Sequence, residues 1–224
     1  MYAGHFAIGL AVKARFPAVP AVPIMLGTGF LDIMNGLFVL AGIDRVTPNP
    51  ASGPYLFFDL TFIDWDHSLA AAVVLSCAWA ALFVKNGKVA VIAGLVAFSH
   101  FLIDWPMHNH DLALYPHSST HLGLGLWGSL GVASWALEGV LVAVLAAYAW
   151  ALGRLRGKNL AWPCALLLLL FVQMSPWFSP MRHIASLGGA AAGIGYGALV
   201  LLGFLIPGLI FCWLLNRADR QAGS

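Results

Sequence analysis

Seven stretches of the chain are apolar over most of their length, separated by short polar segments. A helix needs about 20 apolar residues to span the hydrocarbon layer. The pattern predicts a short first helix at 2–16, then spans near 20–42, 66–84, 88–106, 127–152, 159–175 and 188–215. The first is too short for an ordinary span and reads as a tilted half-helix or a re-entrant piece packed against its neighbours. The Gly/Ala-rich stretch 188–197 lets helices approach closely. No internal repeat or low-complexity tract stands out. The expected fold is all-α: a polytopic transmembrane bundle of six to seven helices, forming one integral membrane domain over 1–224.

Composition agrees with that pattern. Of 224 residues, 61% are hydrophobic and 9% charged, and the mean hydropathy is +0.86. A soluble domain carries about 25% charged residues, so this chain lacks the polar surface that water would require. The formal net charge of +2 comes without a basic stripe, which argues against a nucleic-acid partner. Cys77, Cys164 and Cys212 all lie inside apolar runs and form no CxxC pair, so neither a zinc ribbon nor a disulfide frame is indicated. Lys13 and Arg15 follow the first apolar run instead of preceding it, and no secretory signal peptide is expected.

Lys and Arg near helix ends set the expected orientation. Lys13 and Arg15, Lys85 and Lys88, Arg154 to Lys158, and Arg217 and Arg220 fall on one side if seven segments cross. That side is expected to face the cytoplasm, with the N-terminus outside, the C-terminus inside and the chain in the inner membrane. The remaining loops, near 43–65, 107–126 and 176–187, then face outward. They hold most of the His, Asp, Trp and Pro outside the helices. Trp65, Trp127, Trp135 and Trp177 suit an aromatic belt at that boundary.

An ionisable side chain within the membrane is costly unless paired and marks a site by default. Ser99-His100-Phe101-Leu102-Ile103-Asp104 puts an imidazole and a carboxylate four residues apart, on one helical face. This pair can chelate a divalent metal; alternatively, the two groups only satisfy each other. His108 extends the same face if the helix survives Pro106. His5 lies on the first helix, and Asp32 lies near the middle of the second span with no Lys or Arg in that span. Asp32 therefore needs a metal ion or a protonated His, and Asn35 one turn on adds an amide oxygen. In Asp64-Trp65-Asp66-His67-Ser68, Asp66 reads either as a helix cap or as a free carboxylate near the site, with His67 in the first turn.

Other residues are less decided. The loop after Asp104 holds His108, His110, Asp111, His117 and His121, of which His108 and Asp111 are nearest the helix end. Its Gly-rich end (Gly123, Gly125, Gly128) reads as a lid that folds back or as ordinary surface loop. Glu138, in the fifth span, either backs a ligand histidine or sits protonated. Arg182 and His183 read as interfacial anchors, or as contacts to lipid phosphate.

Taken together, His5, Asp32, His67-Ser68 and Ser99-His100-Phe101-Leu102-Ile103-Asp104 resemble the pattern of a bacterial inner-membrane family described as predicted membrane-bound metal-dependent hydrolases. Asp104-Trp105, His108, Asp111-Leu112, Leu114-Tyr115-Pro116 and Leu122-Gly123-Leu124-Gly125-Leu126-Trp127 extend the resemblance, which covers roughly 1–150. The segments 159–175 and 188–215 are additional. The family often has Pro-Asp-x-Asp-His where this chain has Leu31-Asp32-Ile33-Met34-Asn35, and Thr-His-Ser where it has Asp66-His67-Ser68. One acidic residue and one His of the family pattern are thus replaced.

The expected metal set is His5, Asp32, His67, His100, Asp104 and His108, around a divalent, zinc-like ion. Asp32 or Asp66 would serve as general base. The first expectation is a metal-dependent hydrolase acting on a lipid or other amphiphile at the outer face. The second is a non-catalytic membrane subunit whose histidines bind metal, haem or pigment, within a larger complex or a homo-oligomer. The third is a transporter with a proton or cation path through the same groups.

Overall fold

The computed structural model describes residues 1–222. Eleven helices and one small hairpin follow in order. The helices are α1 Tyr2–Arg15, α2 Ala21–Met25, α3 Phe30–Leu40, α4 Asp64–His67, α5 Leu69–Ala81, α6 Gly87–Met107, α7 Leu126–Leu130, α8 Val132–Leu155, α9 Ala161–Gln173, α10 Met181–Ser186 and α11 Gly189–Ala222. Strands β1 Arg45–Pro48 and β2 Phe58–Phe62 pair antiparallel, with Thr47 opposite Asp59. The hairpin is a departure from the all-α expectation and sits in the loop read as 43–65. The helices α6, α8 and α11 are long and apolar enough to cross a membrane; α3, α5 and α9 are apolar but shorter.

The short first helix is the centre of the bundle. Phe6, Ala7 and Leu10 are fully enclosed, and α1 packs mainly on α8 while also touching α6, α9 and α2. The helix-end accounting explains how it can begin inside the protein. Its first N–H groups have no intrahelical acceptor, and Glu138 of α8 supplies one: Gly4 N–H donates to Glu138 Oε1 at 3.0 Å. Tyr55, reaching in from the loop of the hairpin, donates to Glu138 Oε2 at 2.7 Å. Glu138 therefore belongs to the start of α1 and to Tyr55, and backs no ligand histidine.

The second predicted span is broken. Residues 26–29 leave the helix between α2 and α3, and residues 27–29 are buried inside the protein. Here a Cβ at Gly27 would stand 2.4 Å from Pro23 O and 2.7 Å from Trp79 Nε1, and one at Gly29 would stand 2.5 Å from the Phe204 ring. The two glycines let α5 and α11 close on the break. Its freed carbonyls find donors: Trp79 Nε1 donates to Pro23 O at 3.0 Å. The third predicted span is divided too. Ser68 ends α4 and caps α5, its Oγ accepting from Ala71 N at 3.2 Å, so Ser68 and not Asp66 is the cap.

The small-residue stretch near 188–197 does bring helices together. A Cβ at Gly36 of α3 would lie 2.7 Å from Gly197 O of α11. At the other end of α1, Lys13 Nζ donates to Pro17 O at 2.8 Å and Val19 O at 2.9 Å, and pairs with Asp219 at 3.1 Å. Lys158 pairs with the same Asp219, and Arg156 reaches Ala14 O. Three of the basic segments read from the sequence thus meet at one end. His5 lies about 12 Å away along the axis of α1, at 1.5 Å per residue.

Candidate metal centre

Four elements bring the site together. His5 comes from α1, Asp32 from α3, His67 from α4, His100 and Asp104 from α6, and His108 from the residue that follows α6. All six side chains named from the sequence meet. Asp104 is the hub. Its Oδ1 lies 3.3 Å from His5 Nε2, and its Oδ2 lies 3.1 Å from His100 Nε2, 3.6 Å from His108 Nε2 and 3.9 Å from His67 Nε2. Asp32 stands between two of the imidazoles, with Oδ2 3.4 Å from His100 Nε2 and Oδ1 3.6 Å from His67 Nε2. The Met1 nitrogen also lies against Asp104 Oδ1.

Each group is held by its local structure. α6 runs through Pro106, and His108 N–H still donates to Asp104 O at 2.8 Å, so His100, Asp104 and His108 do share one face. The Gly-rich end of the following loop clamps this terminus. Gly125 N–H donates to His108 O at 2.8 Å, Gly128 N–H donates to Asn109 Oδ1 at 2.9 Å, and the Trp127 ring lies 4.3 Å from that of His108. A Cβ at Gly123 would overlap Asn109 O at 1.8 Å. The same loop covers the start of α5, where Leu69 and Ala70 N–H donate to Ala113 O and Leu114 O.

The acceptors on the far side of the rings decide the chemistry. His100 Nδ1 donates to Thr28 O at 2.7 Å, His67 Nδ1 to Asp66 Oδ1 at 2.6 Å and His108 Nδ1 to Asp111 Oδ1 at 3.1 Å. With Nδ1 carrying the proton, each Nε2 directs its lone pair at Asp104, and those of His67 and His100 also at Asp32. This is the arrangement that metal-ligating histidines use, one nitrogen on the ion and the other on a carboxylate or carbonyl. Asp66 is fully buried behind His67; its position is that of an orienting acceptor. Asp44, from the turn after α3, packs near Asp66, and burial, reinforced by the Asp66 charge, pushes its carboxyl up to about 8.

A hydrogen-bonded cluster that needed no ion would leave few orphans, since buried polar groups are nearly always paired. Here His5 Nδ1 is buried with no partner, and His100 Nε2 meets only carboxylate oxygens although the ring's proton is on Nδ1. The rings of His5 and His100 are stacked, with centroids 3.7 Å apart and planes 5° apart. Two protonated imidazoles would repel in that position; two neutral ones can share a cation. Three triads have their ligand atoms within 4.8 Å of one another: His5–His100–Asp104, Asp32–His67–His100 and His67–Asp104–His108. Buried His and Asp groups able to coordinate a metal ion are therefore present.

A partly open cavity of about 90 Å³ ends on this cluster. Its walls include Tyr55, Leu60, Ile63, Trp127, Met174, Leu199 and Phe204, and its floor includes Asp32, His67, Asp104 and His108. No Lys or Arg among the described residues lines it.

Other candidates lie elsewhere. His121 is exposed, its Nδ1 on Ser119 O, and His117 packs against Phe62 while its N–H donates to Asp64 Oδ2 at 2.7 Å. Arg182 lies over the Phe57 ring at 4.8 Å and donates to Pro176 O. Thr28 was missed from the sequence, although Gly27-Thr28-Gly29 inside an apolar run is the signal of a break. Asp44 and Tyr55 were missed with no comparable signal. No known family model, characterised protein or solved structure matches this chain; the family resemblance rests on the residues quoted for it.

Proposed function

We propose that the chain is a membrane-embedded, metal-dependent hydrolase that cleaves a lipid or similar amphiphile near the outer face of the inner membrane. The observation that carries this reading is the convergence of three Nε2 lone pairs, each fixed by an Nδ1 acceptor, on two carboxylates at the foot of an apolar cavity. His5, His67, His100, His108 and Asp104 are the groups that would hold zinc or a similar divalent ion, which would supply Lewis acidity and lower the pKa of water toward 7.

The chain's own groups supply the rest. Asp32 has 19% of its side chain exposed against 2% for Asp104, so Asp32 is the carboxylate placed to take a proton from water. Asp66 and Asp111 hold His67 and His108 in the ligating tautomer. Trp127 lines the cavity with its buried indole N–H unpartnered, which makes it a donor for a substrate oxygen. The apolar walls suit an acyl or prenyl chain. The basic residues collected around Lys13 and Asp219 favour the cytoplasm for that end, which leaves the site nearer the outside.

The test uses detergent-purified full chain and a panel of fluorogenic phospholipids and esters. Turnover that chelation abolishes and added zinc restores supports the reading. Turnover by protein shown by elemental analysis to be metal-free ends it.

A further inference from the structure

The six converging side chains offer more than one ion can use. Four imidazole Nε2 atoms and both oxygens of Asp32 and of Asp104 face the centre. A tetrahedral ion takes four donors at roughly 2.0–2.2 Å.

We propose that the centre binds two divalent ions bridged by Asp104, a proposal that rests on the metal site of the hydrolase reading but not on its reaction. One ion takes His5, His100 and Asp104; the other takes His67, His108 and Asp104. The triads set this division. His5 and His108 belong to different triads, and the two triads that contain them share only Asp104. Asp104 presents Oδ1 to His5 and Oδ2 to His67, His100 and His108, so both of its oxygens are available to a bridge. The third triad, Asp32–His67–His100, contains one histidine from each ion. Asp32 thus stands between them, open to the cavity. Ions in such pairs lie about 3.5–4 Å apart and clamp both the attacking and the leaving oxygen of a substrate.

Charge points the same way. Asp32 and Asp104 touch the histidines from inside the cluster, and Asp66 and Asp111 from behind it. No Lys or Arg side chain among the described residues lines the cavity to answer them. Among the described residues the Met1 ammonium against Asp104 is the protein cation at this cluster, so most of the carboxylate charge is left for bound cations to answer in a low-dielectric interior.

The experiment strips the full-length protein with chelator in detergent, reloads it with Mn2+, and removes free ion. Elemental analysis is expected to give about two Mn2+ per chain, and electron paramagnetic resonance an exchange-coupled spectrum. His108→Ala and His5→Ala are each expected to retain about one ion and to lose the coupling. About one ion per wild-type chain, with an isolated-ion spectrum, overturns the proposal even if both variants fail to fold, because the wild-type protein decides it. Turnover measured on the same samples separates the two readings. Hydrolysis with one ion per chain overturns the pair and keeps the hydrolase. Two coupled ions without hydrolysis of any substrate keep the pair and end the hydrolase. Protein that holds no ion overturns both.

Discussion

His100 donates its Nδ1 proton to the carbonyl of Thr28, 2.7 Å away, so a break in one helix selects which nitrogen of another helix faces the acids. An unbroken second helix would spend that carbonyl on its own ladder. The position of the break rests on Gly27, where the Trp79 indole and Pro23 O leave no room for a Cβ.

Gly27→Ala is therefore expected to cost about 1–3 kcal/mol through overpacking and to weaken metal binding as Thr28 shifts. Thermal unfolding and chelator competition in detergent measure both. Unchanged metal affinity would show that the break does not serve His100.

Asp66→Asn keeps the shape behind His67 but removes the charge. Loss of such an outer acceptor typically lowers metal affinity about 10- to 100-fold, and competition with a chromogenic chelator is expected to show a fall in that range. If Asp66 were the general base instead, turnover would collapse with metal content intact.

Glu138→Ala leaves Gly4 N–H and the Tyr55 hydroxyl buried without their acceptor. The expected destabilisation is about 1–3 kcal/mol, read as a lower thermal midpoint. Protein that remains folded should keep its full metal complement, because Glu138 touches none of the six converging side chains. Loss of metal with an unchanged midpoint would contradict this assignment.

Asp44 adds a pH dependence. The folded chain holds its proton up to about pH 8, whereas an ordinary aspartate releases it near 3.8. The folded state binds more protons across that interval, so stability declines as pH rises through it. This contribution is complete below pH 3.8 and gone above about 8. Asp44→Asn is expected to flatten the thermal midpoint between those values; a slope equal to that of wild type would rule Asp44 out as its source.

Much of this protein could be read directly from one dimension. Local hydrophobicity marked α1, α6 and α9 to within about two residues, because a helix buried in apolar surroundings must itself be apolar; the fifth span instead divides at Gly131 into α7 and α8. Spacing alone put His100, Asp104 and His108 on one face, since residues four apart on a helix always share one. The cost of burying a lone charge singled out Asp32 and His5 without any neighbour in view.

Tertiary structure decided what no local rule contains. The break at 26–29 depends on Trp79 and Phe204 closing over it, and both are far off in sequence. Glu138 found its partners in α1 and in a hairpin loop. Asp66 could have capped a helix, but Ser68 took that role and left the carboxylate to His67. Which nitrogen of each imidazole faces inward was settled by Thr28, Asp66 and Asp111. Hydrogen bonds are short-ranged and directional, so only the folded arrangement can say which donor meets which acceptor.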